Sequence, residues 1–204
     1  MRTSNPFYSG RLLILSIFMT FAAAAYGQAE GNEFCRTSMK INNTGMIVLG
    51  SWAMANIATG AWGWSKYEGD KKYFHQMNLF WNTVNLSIAG IALYSNSNYD
   101  CVAAGAEAVL NKHMQTEKIL LINSALDAGY IGSGFLLKHL SGKSEKRADL
   151  LKGYGNSLIL QGAFLLVFDL ALYGIMRNFR LDFPMDLSLN TFNRSVISGI
   201  SVRF

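Results

Sequence analysis

Two carboxylates and a ladder of carboxamides stand inside segments of this chain that are otherwise apolar. Asp127 and Asp169 each fall within a run of roughly twenty mostly apolar residues, the length that crosses a bilayer core as a helix. His75, Asn78, Asn82 and Asn85 follow one another at i, i+3, i+7 and i+10, which on a helix confines them to an arc of about 80°. Asn123, Asp127 and Tyr130 share a face of the next segment, Gln161 and Asp169 lie about 80° apart on the last, and Asn56 stands in the first. Lipid offers none of these groups a partner, so they are expected to face one another inside a helix bundle. Two carboxylates at similar depth could bind a proton, a cation or a small polar ligand, since desolvation and mutual repulsion would let one of them hold a proton near neutral pH. The competing role is mechanical, with amides bonding from helix to helix at ~0.6–2 kcal/mol each. The asparagines suit that role. The aspartates suit it less, because burying a carboxylate merely for structure is expensive.

Histidine offers a different chemistry. His75 and His139 lie near corresponding ends of the second and third segments, where together they could ligate a b-type haem; interfacial histidines also occur without any cofactor. His113 sits in a polar connection with no partner at metal-ligand spacing. The sequence holds no nucleophile constellation, phosphate-binding loop or paired zinc motif.

The elements that must position these groups are four apolar stretches, at residues 44–64, 74–95, 119–139 and 157–176. Only a helix satisfies its own backbone in hydrocarbon, so the expected fold is an all-α membrane protein: a four-helix transmembrane bundle of two hairpins over residues 44–176. At 204 residues, with 50% hydrophobic and 15% charged residues, the chain suits one compact membrane domain. The net charge is +5, and much of the excess sits at Lys138, Lys143, Lys146, Arg147 and Lys152. Such a cluster reads as a cytoplasmic anchor. No aromatic platform accompanies it, which argues against nucleic acid as a partner.

Residues 1–27 read as a signal peptide: Arg2 and Arg11 precede the apolar run 12–25, and Ala25-Tyr26-Gly27 places small residues before Gln28. The alternative is an uncleaved first helix. Cys35 lacks the small residues before it that lipid attachment requires. After cleavage in a bacterial cell, residues 28–43 would form a periplasmic N-terminal segment. The basic connection 140–152 and the mildly basic 65–72 would lie in the cytoplasm, and 177–204 would be a periplasmic tail, placing the protein in the inner membrane with both termini outside. Cys35 and Cys101 then share the oxidising side. A disulfide between them would close a loop of about 67 residues and contribute about 4 kcal/mol on the chain-entropy model; two free thiols are the alternative.

Small residues recur every fourth position in the first span (Ser51, Ala55, Thr59, Gly63) and the third (Ser124, Ala128, Gly132), so these helices are expected to cross at the centre. A loose echo of 49–56 in 122–129, and Ala-Leu-Tyr at 92–94 and 171–173, suggest two related hairpins, although small-residue helices also resemble one another by chance. Connection 100–118 reads as a short surface helix. In the tail, Leu187, Leu189 and Thr191, then Val196, Ser198, Ile200, Val202 and Phe204, alternate about Asn193-Arg194 as a β-hairpin would. With no other strand to join, such a hairpin would add to the sheet of an envelope protein partner, unless the pattern is accidental.

Tyr73-Phe74-His75-Gln76-Met77-Asn78, followed by Trp81-Asn82 and Asn85, and later Gly155, Gln161-Gly162, Leu166 and Phe168-Asp169, resemble an uncharacterised family of small membrane proteins from Bacteroidota. The resemblance covers about residues 45–176 and implies no established activity. The expected function is therefore a non-enzymatic subunit or scaffold of the cell envelope. Its rivals are a small proton- or cation-coupled transporter using Asp127 and Asp169, and a haem or quinone redox subunit using His75 and His139.

Overall fold

The computed structural model describes residues 6–183, with side chains from residue 31 onward. Four helices fill that range: α1 (Pro6–Lys66), α2 (Gly69–Ser97), α3 (Cys101–Ser141) and α4 (Ala148–Asp182), with no strand among the described residues. The β-hairpin expected in the tail, and the partner it would join, lie outside the described residues. The helical part of the chain is longer than the sequence predicts, because α4 continues through 177–182, within the predicted tail.

Two helices, α3 and α4, are long and apolar enough to cross a membrane. In α2 the buried face is Asn78, Asn82, Asn85 and Ala89, so the amides that mark this face also lower the helix's hydropathy.

Local chemistry explains the turns. The backbone N–H of Tyr67 still bonds the Gly63 carbonyl at 2.9 Å, and Gly69 then reverses the chain at φ +60°, a conformation that costs glycine little. Asp100 caps α3, its Oδ1 accepting from the N–H groups of Val102 (2.8 Å) and Ala103 (3.1 Å). Connection 100–118 is thus helical as expected, but it runs directly into the rest of α3 across a kink at Gly105 (φ 73°).

The helices pair as two hairpins, α1 with α2 and α3 with α4, and the two hairpins meet mainly where α2 packs on α4. Close approach depends on glycine. A Cβ on Gly153 of α4 would lie 2.3 Å from the Asp70 carbonyl of α2; one on Gly155 would lie 2.6 Å from the Gly134 carbonyl of α3, and one on Gly162 2.9 Å from that of Asp127. The expected central crossing of α1 and α3 is not found. They meet towards the end that carries Cys35 and Cys101, where Gly31 faces Ala106. Most residues of the predicted small-residue stripes also face away from the packing: Ser51, Ala55, Thr59, Ala128 and Gly132 are exposed, while Gly63 and Ser124 of those stripes are buried, as are Ala53, Asn56 and Gly60. The packed face of α1 is one residue, or about 100° of helix, out of phase with the stripe.

Apolar residues close the core between the amide circuit and the Cys35–Cys101 end. Leu49, Leu120, Leu165 and Leu172 belong to one cluster, and Phe34, Cys35 and Val109 form a second at the far end of the bundle from the two basic turns. There Cys35 and Cys101 stand at disulfide distance, with Cα atoms 5.8 Å apart, tying α1 to the start of α3.

Candidate functional site

Four side chains on three helices close a circuit of hydrogen bonds. The Trp52 indole donates to Gln161 Oε1 at 3.0 Å. Gln161 Nε2 donates to Asn78 Oδ1. Asn78 Nδ2 donates to Asn56 Oδ1 at 2.8 Å, and Asn56 Nδ2 returns to the Trp52 carbonyl at 2.8 Å. Asn56, Asn78 and Gln161 are all buried, so each bond replaces one that water cannot supply. Trp52 is fixed further by stacking on Phe164, with centroids 3.9 Å apart. Asn82 behaves differently: its Nδ2 bonds the Asn78 carbonyl of its own helix at 2.8 Å, and its Oδ1 has no partner. Of the α2 ladder, Asn78 alone bonds other helices among the described residues; with Asn56 and Gln161 it forms interhelical glue that includes Trp52, a member that amide spacing did not reveal. The available clue was its position four residues before Asn56.

The second half of the polar core is built otherwise. Asp127 of α3 and Asp169 of α4 are buried, and their carboxyl groups lie within hydrogen-bonding reach of each other. Two carboxylates hold that arrangement only with a proton between them or a cation beside them. No Lys, Arg or His bonds to either among the described residues. Beside them is a cavity of about 180 Å³, lined by Trp81, Val84, Asn85 and Ile88 of α2, Asn123, Leu126, Asp127 and Tyr130 of α3, and Leu49, Leu165 and Asp169. Within this lining Asp127 Oδ2, Asn85 Nδ2 and Trp81 Nε1 have no hydrogen-bond partner. Asn123, partly buried, completes the polar wall. Thus Asn56, Asn78 and Gln161 form one group, and Asn85, Asn123, Asp127 and Asp169 a second that opens on a cavity.

The histidines do not converge. The His75 ring packs on Tyr67 (5.3 Å between centroids) against Gly63 of α1, while His139 is exposed on α3, whose backbone stays apart from that of α2. His75 and His139, the alternative haem ligands, are not brought together. His113, which sequence spacing left without a role, is 1% exposed at the Cys35–Cys101 end and holds three helices. Ser38 of α1 meets its Nδ1 at 2.6 Å; its Nε2 meets the Met176 carbonyl of α4 at 3.0 Å and Glu117 Oε1 at 3.1 Å. Glu117 in turn binds Arg180 of α4 through both oxygens, at 2.7 and 2.9 Å. Burial holds the His113 ring below its ordinary pKa and outweighs the pull of the Met176 carbonyl and of Glu117, whose charge Arg180 already engages. The Ser-His-Glu order resembles a hydrolytic relay. Ser38, however, lies mid-helix, where backbone N–H groups are committed to the helix ladder and leave no donors for an oxyanion.

The opposite end carries the basic residues of both turns, Lys66, Lys71 and Lys72 beside Lys143, Lys146 and Arg147. Lys152 bonds Asp70 at 2.8 Å and joins the two hairpins there, holding the Asp70 carboxyl below its usual range.

The class defined by this fold and core is an all-helical bundle with a closed amide circuit and a carboxyl pair beside a cavity. Residues 48–170, more than half of the chain, match a family of unknown function, DUF6992, and the chain belongs to that family. No curated protein and no solved structure matches it.

Proposed function

We propose that this chain is a non-enzymatic integral membrane protein of the bacterial cell envelope, whose four helices span the inner membrane and whose core binds a proton or monovalent cation at Asp127 and Asp169. The observation that carries the reading is an inversion of polarity. Ile47, Val84, Ile91, Ile119, Phe135, Val167 and Ile175 are exposed, while Asn78, Asn82, Gln161, Asp127 and Asp169 are buried. In water this arrangement would forfeit the hydrophobic drive, whereas in lipid it satisfies both faces. The basic turns suit the cytoplasmic side, and the Cys35–Cys101 pair suits the oxidising periplasm.

The amide circuit favours a second reading, a subunit or scaffold that uses its polar core only to fix its helices. Proteoliposomes carrying an internal pH dye separate the two. A monovalent-cation gradient should change internal pH with the native chain, and the Asp127→Asn, Asp169→Asn double variant should abolish that response. If the native chain behaves like protein-free vesicles, the ion-binding role is withdrawn and the scaffold role stands.

A further inference from the structure

We propose that the cavity between α2 and α3 is a binding site for a small lipophilic ammonium ion, which enters sideways from the bilayer and places its charge against Asp127 and Asp169. The inference rests on the ion-binding reading of that carboxyl pair and names the kind of cation it takes.

Three observations carry it. The first is access: the backbones of α2 and α3 do not approach, and the cavity rim carries Val84 (58% exposed), Ile88 (51%) and Leu126 (50%). An apolar rim facing hydrocarbon admits a molecule with an apolar body more readily than a hydrated metal ion. The second is the wall. Trp81 and Tyr130 meet edge to face with centroids 4.6 Å apart and both line the cavity. Aromatic rings beside carboxyl groups form the environment that recognises organic ammonium ions, through ring quadrupoles and charge together. The third is unfilled bonding capacity. Asp127 is 3% exposed and its Oδ2 has no partner, and no cationic side chain lines the cavity to supply one. Asn85 Nδ2 and Trp81 Nε1, also unpartnered in this lining, are donors and do not bond the ammonium group, whose partner is the Asp127 carboxyl.

Size narrows the class. The cavity is about 180 Å³, against ~150 Å³ for an engineered cavity that holds benzene. A single ring or a short branched chain bearing one ammonium group fits. Two carboxyls sharing one proton carry a single negative charge, which one such ion neutralises.

The test is calorimetric titration of the purified full-length chain, in detergent micelles near pH 7, with benzylammonium and with benzyl alcohol, a neutral compound of the same shape. Asp127→Asn in the same micelles gives the baseline for partitioning. Leu126→Trp, at a half-exposed rim position, narrows the mouth without touching a carboxyl, and circular dichroism checks that each variant is folded. Saturable benzylammonium binding is expected, at least about tenfold tighter than benzyl alcohol and weakened about tenfold or more by either substitution. Equal binding of the two compounds, or affinity unchanged in both variants, overturns the proposal. If benzylammonium does not bind while the aspartate-dependent pH response persists in vesicles, the ammonium site is wrong and the ion-binding reading survives. Loss of both removes the two together.

Discussion

Asn78 of α2 donates to Asn56 of α1 at 2.8 Å, across twenty-two residues of sequence and the width of the first hairpin. The same Asn78 accepts from Gln161 of α4, so one amide couples the two hairpins. Within lipid such a bond has no aqueous competitor, and its loss strands buried partners on both sides.

Replacing Gln161 with Leu leaves the Trp52 indole and Asn78 Oδ1 without their partner. We expect a loss of about 1–2 kcal/mol, measured as a shift of the unfolding midpoint in mixed micelles. Asn82→Leu should cost less, because Asn82 bonds only its own helix among the described residues.

Two glycine substitutions should separate close packing from open surface. Gly153→Ala places a methyl against the Asp70 carbonyl and the Phe74 amide of α2, forces α2 and α4 apart, and should destabilise by about 1–3 kcal/mol. Gly132→Ala meets nothing within 4 Å and should be neutral or stabilising by up to about 1 kcal/mol. Thermal unfolding of the two variants side by side gives the comparison.

Replacing Cys35 or Cys101 with Ser should lower stability by roughly 2–4 kcal/mol and abolish the mobility difference between reduced and oxidised protein on a denaturing gel. An unchanged gel pattern in the native chain, with and without reductant, would show that the bond does not form.

His113 supplies a pH dependence with a definite sign. Its folded-state pKa lies below the ordinary 6.5, so between the two values the unfolded chain binds more protons. Its contribution to stability is therefore full above about 6.5 and is lost progressively as the pH falls from there to the lower folded-state value. Glu117, Arg180 and Lys112 share this end of the bundle, so the contribution is read as a difference. His113→Gln should flatten the dependence of the unfolding midpoint between about pH 5 and 7 relative to the native chain.

The amide face of α2 was legible in the sequence because a 3.6-residue period declares a face wherever polar residues interrupt an apolar run. That Asp127 and Asp169 stand at one level followed from counting along the two helices. What periodicity does not give is phase between helices: on α1 the stripe Ser51, Ala55, Thr59 and Gly63 predicts the packing face, whereas Ala53, Asn56, Gly60 and Gly63 mark it, with Gly63 common to both. Nor could it show the joining of Ser38 to His113 or Glu117 to Arg180, 75 and 63 residues apart. There the local clue was the i, i+4 spacing of His113 and Glu117, and a titratable pair in a polar connection looks no different from a solvated helix face. The cavity was equally hidden, since it arises from α2 and α3 standing apart.

The position of the Cys35–Cys101 pair has a consequence for the order of assembly. Both sulphurs have been synthesised before residues 102–204 exist, and between them lies all of α2 and the greater part of α1. With the chain exported as the proposed function has it, its first hairpin would be sealed while the second is still being translated. Gln161 and Asp169 would then arrive at a covalently closed template, and the timing of oxidation would help decide whether they find it in register.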